Sequence, residues 1–171
     1  LVGQALQACP PDFELIGEKC FHFTSNQSNF VNCAKLCEEK NSTLPCIESK
    51  EENEAIANVS MLKFNYPEYL YWIGLYQTPK TFHPNRNWDN WQRHGCNSKH
   101  RNWGQSQPLD IFNFQAACAV APSDNPIWMD YPCWFDFLNC VCQNDGESSK
   151  SFNEDHKALL EDYNRYINPG G

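Results

Sequence analysis

The absences in this sequence narrow it first. No apolar run approaches the length of a membrane span, and no charged segment followed by an apolar one opens the chain. The chain therefore reads as a mature secreted protein or an ectodomain, with membrane contact only through an anchor outside it. Basic residues are scarce: 13 Lys and Arg stand against 21 Asp and Glu, a formal charge of -8, which argues against nucleic acid or a polybasic membrane surface as partner. There is no internal repeat. No G-x-S-x-G elbow, H-E-x-x-H helix or reactive-cysteine signature is present, so no catalytic residue is assigned and no enzyme is expected. No two C-x-x-C arms occur, and His83, His94 and His100 lack the spacing that would aim them at one metal, so no cofactor is expected.

Cysteine, by contrast, is abundant. Ten cysteines in 171 residues exceed ordinary intracellular usage and point to an oxidising, extracellular compartment. Sequons at Asn26, Asn41 and Asn58 agree with it as candidate glycosylation sites. Two cysteine pairs have a geometric meaning. Cys33 and Cys37 are four apart, on one face of a helix; Cys140 and Cys142 are two apart, on one face of a strand. The rises, about 6.0 Å and about 6.6 Å, nearly match. Two rungs, Cys33 with Cys140 and Cys37 with Cys142, could join helix to strand and tie the start of the domain to its end.

Taken in order, residues 1–8 carry no pattern and read as a flexible N-terminus. Turn residues between Cys9 and Cys20, flanked by aromatics, suggest a β-hairpin stapled by those two cysteines. Ser28 is a plausible N-cap for a helix carrying Phe30, Cys33, Ala34 and Cys37 as far as Lys40. Ser49-Lys50-Glu51-Glu52 is a capping box opening a second helix, with Ala55, Ile56, Val59 and Leu62 as its expected buried stripe and Pro67 past its end. Tyr69 to Leu75 is a nearly continuous apolar and aromatic run that fits a buried central strand. From Tyr76 to Gln115 periodicity disappears over about forty residues, longer than connections usually are and so expected to be functional. Ala116 to Ala121, Ile127 to Asp130 and Phe137 to Gln143 read as short strands separated by Pro-rich turns. Residues 144–171 form an acidic linker and a possible short helix with Leu159, Leu160, Tyr163 and Ile167 on one face.

Several of these features resemble the C-type lectin-like domain in its long form. They are the stapled hairpin, Cys37, Leu44-x-x-Ile47 before Ser49-x-Glu51-Glu52-Asn53, Trp72-Ile73-Gly74-Leu75, Asn102-Trp103 with Gln107-Pro108, and Trp128-x-Asp130-x-x-Cys133 before Val141-Cys142. The resemblance covers residues 9–143 as one domain. It implies an α+β fold of two helices and two small, mostly antiparallel sheets with a long irregular loop region. It also implies disulfides Cys9 with Cys20, Cys37 with Cys142 and Cys118 with Cys133. Cys33, Cys46, Cys96 and Cys140 fall outside the family pattern and have three possible connectivities; the face-sharing geometry selects Cys33 with Cys140, leaving Cys46 with Cys96 to anchor the long loop.

The same resemblance defines a site to test. Sugar-binding members hold calcium with a Glu-Pro-Asn or Gln-Pro-Asp triplet, an acid just before the cysteine matching Cys118, and a Trp-Asn-Asp triplet. Here those positions read Gln107-Pro108-Leu109, Ala116-Ala117 and Trp128-Met129-Asp130, so Gln107 and Asp130 survive and Asp110 is the nearest substitute. That set falls short of the six to eight oxygens calcium takes, and no calcium is expected. Between Lys80 and Trp103, five basic side chains face Asp89 alone, a formal +4. A basic, aromatic binding face through Arg86, Trp91, Arg93, Lys99, His100 and Arg101 is the leading reading, for a protein or anionic glycan ligand bound without calcium. The alternative is a carbohydrate-binding lectin, with a degenerate calcium site or none. Trp88 and Trp103 match family positions that are commonly core.

Overall fold

A computed structural model describes residues 8–64, 69–77, 88–90, 98–110 and 117–144. The N-terminal hairpin pairs β1 (Glu14–Ile16) with β2 (Lys19–Ser28) across Gly17, whose φ of 63° is the left-handed conformation a tight turn needs. Cys9 is bonded to Cys20 with Cα atoms 5.5 Å apart.

The first helix, α1, runs Phe30–Glu39. Its N-cap is Asn29, not Ser28: the Asn29 side chain accepts from the Asn32 N–H, because Ser28 is still paired with Leu138 in the sheet. The second, α2, runs Lys50–Lys63 from Ser49, whose hydroxyl accepts from Glu52 N–H at 3.1 Å. Glu52 reaches back to the Glu48 N–H at 2.9 Å, one residue before the position a capping box normally serves. The stripe α2 buries also differs from the expected one. Asn53, Ile56, Ala57 and Ser60 face inward, Ala55 and Val59 are half-buried, and Leu62 is 85% exposed. The inward polar residues answer polar groups: Asn53 Nδ2 donates to Pro126 O and Ser60 Oγ to Ser123 Oγ.

The remaining strands are β3 (Leu70–Gln77), β4 (Trp88–Asn90), β5 (Ala117–Pro122), β6 (Met129–Pro132) and β7 (Leu138–Asn144). They form two antiparallel ladders, β1-β2-β7 and β3-β5-β6, with β4 also on β3. One parallel pair, Tyr71 with Asn139, joins the ladders into a single sheet path. β3 is buried along nearly its whole length, as its apolar run requires. At Gly74 the strand passes so close to the Leu44–Pro45 link that a Cβ would lie 2.6 Å from Pro45 O, and the Gly74 N–H donates to that oxygen at 2.9 Å. Only glycine fits there.

Two disulfide rungs fasten α1 to β7. Cys33 is bonded to Cys140 and Cys37 to Cys142, each with Cα atoms 5.3 Å apart. The four sulfur residues sit fully buried among Phe30, Ala34, Trp72, Val120 and Leu138. Cys118 is bonded to Cys133. Cys46 is also disulfide-bonded; its expected partner, Cys96, lies outside the described residues. Among the described residues no helix is long and apolar enough to cross a membrane.

Candidate functional site

The loop region beyond β3 is built around Trp128. Its indole is buried and donates through Nε1 to Asn53 Oδ1 at 3.0 Å. Asn53 Nδ2 donates in turn to Pro126 O at 2.7 Å, and Asn102 Nδ2 donates to the same oxygen at 2.6 Å. The Trp128 backbone joins the incoming loop: its N–H donates to Asn102 O at 2.7 Å and its O accepts from Gly104 N–H at 3.0 Å. Edge-on rings complete the cluster, with Trp103 on Trp128 at 6.1 Å, Trp88 on Trp103 at 4.8 Å and His100 on Trp128 at 5.6 Å. Trp88 and Trp103 are half-buried against the core and act chiefly as packing.

Asp130, at the end of the Trp128-Met129-Asp130 segment, is buried. Its Oδ1 accepts the backbone N–H of Leu109 and its Oδ2 that of Asp110, both at 2.9 Å. Its own N–H faces Gln107 Oε1 at 3.4 Å. These short charge-assisted bonds hold the 107–110 turn, which contains a cis Gln107–Pro108 peptide and places Asp110 at φ 53°. A divalent ion needs carboxylate lone pairs that point at it, whereas both oxygens here point at N–H groups, whose partial positive charge opposes a cation. Leu109 contributes no ligand and is half-exposed instead. The described residues at these positions do not fit calcium. Among the described residues, no group of three or more His, Cys, Asp and Glu side chains could hold a metal ion.

Of the expected basic face, Arg86, Trp91 and Arg93 lie outside the described residues. Lys99 is exposed and His100 half-buried. Arg101 is turned largely inward: Nη1 donates to Ser98 O and His100 O at 3.3 and 2.9 Å, and Nη2 to Trp88 O at 3.3 Å. It braces two loop segments against each other. Ser98 anchors that brace to the domain through its hydroxyl, which donates to Ile47 O at 2.5 Å. Asn26, Asn41 and Asn58 are all exposed.

Sequence reasoning missed Asn53 as the centre of the loop support, and it missed a second aromatic group beside the Cys118–Cys133 bridge. There Phe135 lies 5.9 Å from Tyr131, 6.4 Å from Trp134 and 5.6 Å from Phe137, and Phe137 is 70% exposed. The Pro-Cys-Trp-Phe-Asp-Phe run was the signal available for it.

The model of the lectin C-type domain family matches residues 26–144, well over half the chain. The chain belongs to the C-type lectin domain family. This C-type lectin domain is similar to the human scavenger receptor C-type lectin carbohydrate-recognition domain, at 26% identity, with 81% of this chain and 99% of that one covered and a TM-score of 0.64. It is similar to human lithostathine at 25% identity, covering 84% and 94% with a TM-score of 0.66. Among curated proteins it is 34% identical over 68 residues to human C-type lectin domain family 12 member B, covering 39% of this chain and 23% of that protein. The matched stretches span between 23% and 32% of the curated relatives' length. The C-type lectin domain is an extracellular, disulfide-bonded recognition module and is non-catalytic.

Proposed function

We propose that this C-type lectin domain recognises carbohydrate, of anionic kind, at its loop end and without calcium. The observation that carries the calcium-free part is the commitment of both Asp130 oxygens to the Leu109 and Asp110 N–H groups. A carboxylate so engaged stabilises the loop by itself, the task a bound ion would otherwise perform. The carbohydrate part is supported by likeness along nearly the whole length of a carbohydrate-recognition domain. The anionic preference is supported by the local charge of the 80–103 segment within an acidic chain, with Lys99 exposed at its end. Arg86, Trp91, Arg93 and His100 are the further contacts proposed, with Arg101 shaping the surface.

A protein ligand is the second reading, favoured by one observation. Leu109 and Ile127 are exposed at this end, at 50% and 38%, where a sugar hydroxyl would seek polar partners. A glycan array carrying neutral, sialylated and sulfated structures, probed in calcium and in EDTA and at two salt concentrations, tests the proposal. Expected is binding to charged glycans that survives EDTA and weakens with salt. Binding that requires calcium, or no glycan bound at all, rejects it.

A further inference from the structure

Helix α2 turns an apolar pair outward. Leu62 is 85% exposed and Met61 48% exposed, the former the most exposed large apolar residue among those described. Asn58 lies on the same side of the helix, three residues before Met61 and four before Leu62. Positions three and four apart on a helix are neighbours, about 5–6 Å between Cβ atoms. Because Cα–Cβ bonds tilt toward the helix N-terminus, the Met61 and Leu62 side chains lean back over the turn that carries Asn58. Asn58 is exposed and opens the triplet Asn58-Val59-Ser60. Neither Asn26, in the irregular stretch of β2, nor Asn41, after α1, has an exposed apolar pair at this spacing.

We propose that Asn58 carries an N-linked glycan whose first sugars lie over Met61 and Leu62 and shield them from water. In the attachment step, Asn58 Nδ2 forms a bond to C1 of the first sugar of a lipid-pyrophosphate-linked oligosaccharide. The C1–O bond to pyrophosphate breaks, the lipid pyrophosphate leaves with the electron pair, and one amide proton is lost to solvent. The fold also dates the event. Ser60, whose hydroxyl completes the acceptor triplet, is fully buried, and its one hydroxyl proton is shared between two acceptors, Ala57 O at 2.8 Å and Ser123 Oγ at 2.7 Å. An enzyme reading that hydroxyl must act before α2 packs on the sheet, so the sugar is added to the unfolded chain.

The test is made on the full chain secreted from a eukaryotic cell line. Peptide mass spectrometry, with and without peptide N-glycosidase, reads occupancy of Asn58; glycosylated peptide is expected and an unmodified peptide overturns the proposal. Asn58→Gln is then compared in two backgrounds, the natural one and Met61→Ser/Leu62→Ser, by binding of a hydrophobic dye. A several-fold rise on loss of the glycan in the natural background and none in the double-serine background is expected. An equal rise in both, or none in either, rejects the shielding role.

Discussion

Asn53 and Trp128, 75 positions apart in sequence, share a buried hydrogen bond of 3.0 Å between side-chain carbonyl and indole N–H. Through it α2 supports the loop end. Asn53→Leu removes this acceptor and the donor to Pro126 O, leaving the indole N–H buried and unpaired. The expected cost is about 1–3 kcal/mol for each group left unsatisfied, read by urea unfolding. A change within about 0.5 kcal/mol would show that the loop does not depend on this contact.

Asp130 gives a second expectation. Asp130→Ala frees the Leu109 and Asp110 N–H groups and destabilises the domain by about 1.5–3 kcal/mol, the range for a hydrogen bond to a charged group. The loss is the same in calcium and in EDTA, and the unfolding midpoint of the natural chain does not rise with added calcium. An ion at 100 times its dissociation constant would add about 2.7 kcal/mol, a shift thermal unfolding detects readily.

The paired rungs make a prediction about additivity. Either disulfide alone closes the long loop between α1 and β7, so Cys33→Ala/Cys140→Ala and Cys37→Ala/Cys142→Ala each remove little loop-closure entropy. Removing all four sulfurs opens a loop of about 100 residues, worth about 4.7 kcal/mol in the chain-entropy account. Denaturant unfolding of the three variants should show a combined loss well above the sum of the two single-rung losses. Simple additivity would mean the rungs act through local packing instead.

Arg101 and Lys99 separate bracing from ligand contact. Arg101→Ala strips donors from three carbonyls and should lower both thermal stability and ligand binding, with Arg101→Lys restoring little because an ammonium lacks the fork that spans Ser98, His100 and Trp88. Lys99→Ala should leave the unfolding midpoint unchanged and reduce only binding to charged glycans. A stable, fully folded Arg101→Ala variant that loses binding would return Arg101 to the role of a direct contact.

Tyr71 supplies a dependence on pH. Burial raises its phenol above the ordinary value. The folded state therefore holds this proton at pH values where the unfolded chain, with its phenol near 10, has released it. Its contribution is fully present below pH about 10 and declines as pH rises beyond that. Unfolding measured across this range should show a fall in stability that Tyr71→Phe flattens.

What the sequence makes legible is what periodicity encodes. The cysteine spacings foreshadow the two rungs because helix and strand repeats are fixed by the backbone, and the apolar run at Tyr69 to Leu75 marks the buried strand. The buried face of α2 departs from its apolar stripe for a physical reason: it contains Asn53 and Ser60, whose partners in the 123–128 turn come from distant sequence, while apolar Leu62 lies on the outer face. Arg101 misleads similarly, since a guanidinium holding carbonyls and one awaiting a ligand look alike in a sequence. The calcium positions are legible as substitutions at Leu109 and Met129, whereas the engagement of Asp130 with the Leu109 and Asp110 amides depends on the shape of the 107–110 turn, which no single residue announces.

The pairing of Cys20 with Asn144 has a mechanical consequence. A pull applied where β7 ends, against one applied through Cys9, crosses the sheet at this one row and loads β2 and β7 so that they peel apart pair by pair. Peeling meets Gln143 and then Cys142, where the bond to Cys37 transfers the load to α1. Beyond that point the strand cannot unzip without breaking a covalent link, so tension at this corner leaves the loop end unstrained.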